Sequence, residues 1–181
     1  AIATFMAGWS SNNKYSMLGA FRGIARMIAY EVPMGVCVIS VAIMAHSLNL
    51  VEIVQAQSIW FVIAQPIGFV IFAIALITDL GRMPFDQTEA EEEIIAGYNT
   101  EYSGIRFGLL YFQEYNIMLL GSVLLVLLYL GGWNGPVIPV ISFISPMIWF
   151  FMKLLIVLVA LIWVRVSLAR FRIDQVTDLG W

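Results

Sequence analysis

Eight of the twelve carboxylates in this 181-residue chain fall between Asp79 and Glu114: Asp79, Asp86, Glu89, Glu91, Glu92, Glu93, Glu101 and Glu114. Acids crowded in this way, once partly shielded from water, cannot all ionise easily. They share protons and titrate as a group. Such a group takes up or releases protons when a charge changes nearby. The plainer reading is a solvated acidic loop. Against it stand Pro84, Phe85, Ile94, Ile95, Tyr98 and Tyr102, which favour burial, and Gly81, Gly97 and Gly104, which permit tight backbone paths. Thr88 to Glu91 has the pattern of a capping box opening a short helix. On that helix Glu89 and Glu93 share a face. Glu31, Asp79 and Glu114 stand at or within the ends of apolar stretches. Acids at membrane depth are costly and usually face a polar interior. Glu31 and Asp79 have snorkelling to the interface as the alternative, whereas Glu114 lies about two turns inside its stretch.

The elements that carry these acids are apolar. The chain is 61% hydrophobic and 12% charged, against roughly 45–50% and about 25% in ordinary globular chains. Four stretches, residues 28–46, 59–79, 107–131 and 146–168, are long enough to cross about 30 Å of hydrocarbon as helices. None alternates with period two, which speaks against a β-barrel. The expected fold is therefore all-α, a polytopic transmembrane helical bundle with about four complete spans and long cytoplasmic loops. Residues 1–27 read as the end of a preceding span and an amphipathic segment, and residues 80–106 as the acidic loop. Pro33 and Pro66 lie inside the first two spans and are expected to bend them. Pro33 also deprives the Ala29 carbonyl of its helical partner.

Basic residues set the orientation. Lys14, Arg22 and Arg26 precede the first span, Arg82 and Arg106 lie between the second and third, and Arg165, Arg170 and Arg172 end or follow the last. Residues 48–58 and 132–145 contain none. The N-terminal segment, the acidic loop and the C-terminus are thus expected in the cytoplasm. The ninth basic residue, Lys153, is inside the last span, and its stem is long enough to reach the outer interface. Lys14, Arg22 and Arg26 recur on one side of an expected helix, either as an interfacial anchor or as a cationic wall. Gly19 and Gly23 form a small-xxx-small pair that lets another helix come close.

Several functions are excluded. A net charge of −3 provides no basic surface for nucleic acid. One cysteine, Cys37, permits neither a disulfide framework nor a Cys-based metal or iron–sulfur site. His46 has no second His or Cys near it, so no metal site is expected. No internal repeat of the transporter kind is visible.

Certain motifs are recognisable as a set. They are the stretch from Gly8-Trp9-Ser10 to Tyr15-Ser16, Gly81-Arg82-Met83-Pro84-Phe85-Asp86 with Glu89-Ala90-Glu91, and Gly97 to Gly104. Gln113-Glu114-Tyr115 and the stretch from Arg165 to Gln175 complete it. With these motifs the chain resembles the H subunit of proton-pumping NADH:quinone oxidoreductase, respiratory complex I, over essentially all its length. The resemblance implies a subunit joining the peripheral redox arm to the membrane arm and forming much of the quinone tunnel. It assigns Arg22, Arg82, Phe107 and Tyr111 to the tunnel wall. It assigns Asp86, Glu89, Glu91 and Glu93 to a redox-coupled acidic loop below the quinone. Glu31, Asp79, Glu101 and Glu114 fall on the proton path towards the pumping subunits. The family often has Glu where this chain has Asp79, one methylene shorter.

By the same resemblance the chain binds no cofactor itself. Quinone is the substrate, and iron–sulfur clusters belong to partner subunits. The partners implied are peripheral-arm subunits carrying the terminal cluster, small and antiporter-like membrane subunits, and the lipid bilayer of a prokaryotic plasma membrane. Relative to the family, the first two or so helices and the last are expected to be missing. The competing readings are the ion-translocating subunit of a membrane-bound hydrogenase-type complex, a stand-alone proton-coupled secondary transporter and a passive membrane anchor.

Overall fold

The computed structural model describes residues 2–81, 85, 102–136, 144–169 and 175. Among these there are seven helices and no strand: α1 (Ile2–Ser10), α2 (Lys14–Ala45), α3 (Leu50–Ala56), α4 (Phe61–Ala64), α5 (Pro66–Asp79), α6 (Gly104–Tyr129) and α7 (Ser145–Ser167). Three of them, α2, α6 and α7, are long and apolar enough to cross a membrane, with mean hydropathies of 1.9, 1.4 and 2.6 over their best windows.

Local chemistry fixes the helix ends. Asn12 adopts φ 51°, a left-handed turn that Asn tolerates. The Asn13 side chain then accepts from the Tyr15 amide at 3.1 Å and caps α2. α2 continues through Pro33 for 32 residues, joining the expected amphipathic segment and first span in one helix. It stops where His46 turns left-handed at φ 54°. The next helix starts at once, because Asn49 caps α3 by accepting from the Val51 amide at 3.1 Å.

The second expected span is not one helix. A single turn, α4, ends at Gln65, and α5 starts at Pro66. The expected bend at Pro66 is thus a break. Proline lacks an N–H but matches helical φ, so it suits a first helical position. At the break the Gln65 side chain accepts from the Ser40 hydroxyl at 3.1 Å.

The chain divides into two compact units. One comprises Ala1–Val32, Ile77–Ile117 and Arg165–Trp181; the other Pro33–Leu76 and Met118–Val164. In the first, α1 and α2 meet at Gly8, where an added Cβ would lie 2.5 Å from Ala20 Cβ and 2.7 Å from the Ser16 carbonyl oxygen. In the second, the core is Val41, Val54, Phe72, Leu76, Val126, Leu128 and Tyr129. The Tyr129 ring lies 5.6 Å from Phe69 and 5.7 Å from Phe72. A Cβ on Gly121 would overlap Leu76 Cδ1, so α5 and α6 approach as closely as glycine allows. In lipid such packing replaces the hydrophobic drive between helices, since acyl chains are as apolar as Leu.

Candidate functional site

Six of the expected site residues are among those described: Arg22, Glu31, Asp79, Phe107, Tyr111 and Glu114. All six belong to the first compact unit. Asp86, Glu89, Glu91, Glu93, Glu101 and Arg82 lie outside the described residues.

On α6, Phe107, Tyr111 and Glu114 are spaced four and three apart, so they share one face. The Phe107 and Tyr111 rings lie 4.9 Å apart at 42°. Phe107 is exposed and Tyr111 half-buried. The aromatic pair leads along the helix to Glu114, whose Oε2 is buried. Arg22 is half-buried on α2.

Glu31 and Asp79 sit on two helices that the structure ties together next to them. The Tyr30 hydroxyl and the Thr78 side chain are hydrogen-bonded, and Tyr30 and Thr78 are buried at 4% and 0% exposure. Phe85 packs on Tyr30 with ring centroids 6.1 Å apart. Each acid is the chain neighbour of one member of this pair. Asp79 is half-buried and Glu31 exposed. Pro33 lies one turn from the pair on α2, where the Ala29 carbonyl loses its partner.

At the turn between α1 and α2, Ser10 and Ser11, named in the sequence only within a motif, meet Tyr102, whose type favours burial. The Tyr102 hydroxyl donates to the Ala7 carbonyl at 3.0 Å and lies 2.9 Å from the Ser10 hydroxyl. Ser10 and Ser11 hydroxyls return to the Ala7 and Gly8 carbonyls at 3.1 and 2.8 Å. This fastening borders a cleft of about 590 Å³ lined by Ser10, Ser11, Tyr102, Ser103, Ile105 and Arg106. A second, of about 280 Å³, is lined by Gly8, Trp9, Asn12, Asn13, Lys14 and Met17. Both are lined by hydroxyls or amides, a cation and an apolar side chain. Such a lining suits an amphipathic molecule with polar oxygens. Tyr102 had a readable signal: an aromatic hydroxyl just after an acid and two positions before a glycine, next to an apolar helix. Its partner, a backbone carbonyl 95 positions away, had none.

Lys153 uses its long stem to reach the backbone of the loop after α6. It is 8% exposed, and its Nζ donates to the carbonyls of Leu130 at 2.7 Å, Gly132 at 3.1 Å and Asn134 at 2.7 Å. It belongs to the second unit, and the six site residues to the first.

All-helical architecture with apolar spans and half-buried acids defines a polytopic helical membrane protein. The whole chain, residues 1–181, matches the family described as NADH dehydrogenase, and it belongs to that family. It is 56% identical over 98% of its length to the H subunit of F(420)H(2) dehydrogenase from Methanosarcina acetivorans, covering 52% of that protein. It is 49% identical over 99% of its length to the H subunit of NADH-quinone oxidoreductase from Dehalococcoides mccartyi strain 195, covering 49% of it. For the H 2 subunit of NADH-quinone oxidoreductase from Syntrophobacter fumaroxidans the identity is 47%, over 97% of this chain and 52% of the relative. The chain thus spans about half the length of the curated relatives it matches.

Proposed function

We propose that this chain is the membrane subunit of a complex I-type oxidoreductase that forms part of the quinone tunnel and couples quinone reduction to proton translocation. The observation carrying the reading is the gathering of all six described candidates in one compact unit, with Phe107, Tyr111 and Glu114 on one helix face. Family membership supplies the reaction class, and the relatives' names supply quinone in one case and F(420)H(2) in another. Phe107, Tyr111, Arg22 and Arg82 line the quinone's route. Asp86, Glu89, Glu91 and Glu93 respond to its charge. Glu101, Glu114, Asp79 and Glu31 pass the disturbance onward. With four spans at residues 28–46, 59–79, 107–131 and 146–168, the second broken at Gln65, the distribution of basic residues puts the acidic loop on the cytoplasmic side of a prokaryotic plasma membrane. The partners there are peripheral-arm subunits carrying iron–sulfur clusters and small and antiporter-like membrane subunits.

The energetics fit. Reducing a quinone to a quinol takes two electrons and two protons, and a transient anion forms between. A unit charge 4 Å from a carboxylate is worth roughly 4 kcal/mol at an effective dielectric of about 20. That is about three pKa units, enough to move a proton on or off a half-buried acid. Tyr30 and Thr78 provide a hydrogen-bonded pair of hydroxyls between the segments bearing Glu31 and Asp79.

The test is Glu114→Gln in the full-length chain within its native complex. Quinone reduction and proton pumping are measured together in sealed vesicles. The expected result is a tenfold or greater loss of pumping with the complex still assembled. Full pumping and full quinone reduction would overturn the reading.

A further inference from the structure

The end of α6 carries an unusual number of accepted hydrogen bonds. A helix leaves its last carbonyls without helical partners. Here the Val126 carbonyl accepts from the Leu130 and Gly132 amides at 3.2 and 2.9 Å. The buried Gln57 side chain gives its Nε2 to the Leu127 and Leu128 carbonyls at 2.9 and 3.0 Å. The Gly131 carbonyl accepts from the Asn134 amide at 2.8 Å. The carbonyls of Leu130, Gly132 and Asn134 all converge on Lys153 Nζ. Gly131 and Gly132, at φ 72° and 49°, turn the chain so that the three oxygens face one point. The Asn134 side chain anchors this loop from the other side by donating to the Val54 carbonyl at 2.8 Å. The Trp60 ring centroid lies 5.1 Å from Nζ and closes the cage.

Three acceptors match the three protons of a primary ammonium. Among the described residues no carboxylate pairs with Lys153. The positive charge is instead met by the negative end of the α6 dipole, by charge-assisted bonds and by the aromatic face. An ammonium whose protons are all held in place is poorly built to hand one on.

We propose that residues 130–134 form a carbonyl site for a primary ammonium, occupied by the chain's own Lys153. Through it Lys153 positions the loop between α6 and α7, and it is not a member of the proton path. A methionine of similar length fills the space but leaves three buried carbonyls without donors. An alanine leaves room for a molecule supplying the missing atoms, and n-propylammonium replaces the three lost methylenes and the nitrogen.

The test uses the full-length chain in its native membranes and reads the amount of assembled complex and its heat stability, neither of which depends on quinone reduction. Lys153→Met and Lys153→Ala are expected to lower assembled complex several-fold, as a loss of folding stability does in cells. n-Propylammonium, present during growth and during the heat assay, is expected to restore Lys153→Ala but not Lys153→Met. Tetramethylammonium, equally charged but without N–H donors, is expected to restore neither. Trp60→Leu, which keeps the carbonyls, is expected to lower heat stability by a smaller step. Wild-type heat stability in Lys153→Met, rescue by both cations alike, or no rescue of Lys153→Ala would each overturn the site. A stable, assembled Lys153→Met complex that no longer pumps would make Lys153 a proton carrier instead.

Discussion

Two tyrosines illustrate how differently one hydroxyl can count. Tyr102 spends its proton on the Ala7 carbonyl at 3.0 Å, whereas the buried Tyr129 hydroxyl meets only the thiol of Cys37, a weak hydrogen-bonding partner. A net intramolecular hydrogen bond is worth about 1 kcal/mol, whereas a thiol partner offsets little of what burying a hydroxyl costs. Tyr102→Phe is therefore expected to destabilise the protein by about 1 kcal/mol and lower the thermal midpoint of the solubilised complex. Tyr129→Phe is expected to leave that midpoint unchanged or raise it. A calorimetric or fluorescence melt of both variants decides, and the reverse order would contradict the hydrogen-bond assignment. At this scale the sequence was partly legible. Glu114 stood out because an acid inside an apolar run has few reasons to be there. Gln57 did not, because a glutamine in a polar stretch resembles any other until its two carbonyl partners, 70 and 71 positions on, are seen.

Glycine spacing decides how α1 and α2 meet. The obstacles to a Cβ at Gly8 include the Ser16 carbonyl oxygen, which is backbone and cannot rotate away. Gly35, further along α2, has nothing within 4 Å of its would-be Cβ. Gly8→Ala is expected to destabilise by about 1–3 kcal/mol, the usual cost of overpacking. Gly35→Ala is expected to be neutral or mildly stabilising, as alanine favours helix. Comparing assembled amounts of the two variants checks the pair, and equal amounts would argue against close α1–α2 contact. Long apolar helices announce themselves, and α7 (Ser145–Ser167) lies within a residue of the stretch expected from hydropathy. The break at Gln65 was hidden, because apolar residues continue on both sides and only the proline marks the place. α3 was hidden too. Seven residues offer too little periodicity, and its sign is the cap at Asn49 with Glu52 three positions on.

Over the whole molecule, large apolar side chains face outward along the long helices. Examples are Val36, Ile39 and Ile43 on α2 and Leu155, Ile156 and Val159 on α7, all more than half exposed. Water would penalise such a surface and acyl chains would not. The chain is expected to stay in the membrane pellet after an alkaline carbonate wash and to leave it only with detergent. Release by carbonate alone would contradict the membrane assignment. About half of the expected site, the acidic loop above all, lies outside the described residues. The other half falls in one unit because α2, α5 and α6 each contribute the segment that bears it. The 32 residues of α2 measure about 48 Å at 1.5 Å per residue, while the oily slab is about 30 Å thick. Counted along the helix, α2 therefore has roughly twelve amino acids more than one crossing needs. With Lys14 and Arg22 towards the N-terminal end of α2, the excess length is expected to act as a spacer that keeps their charges among head groups and out of oil.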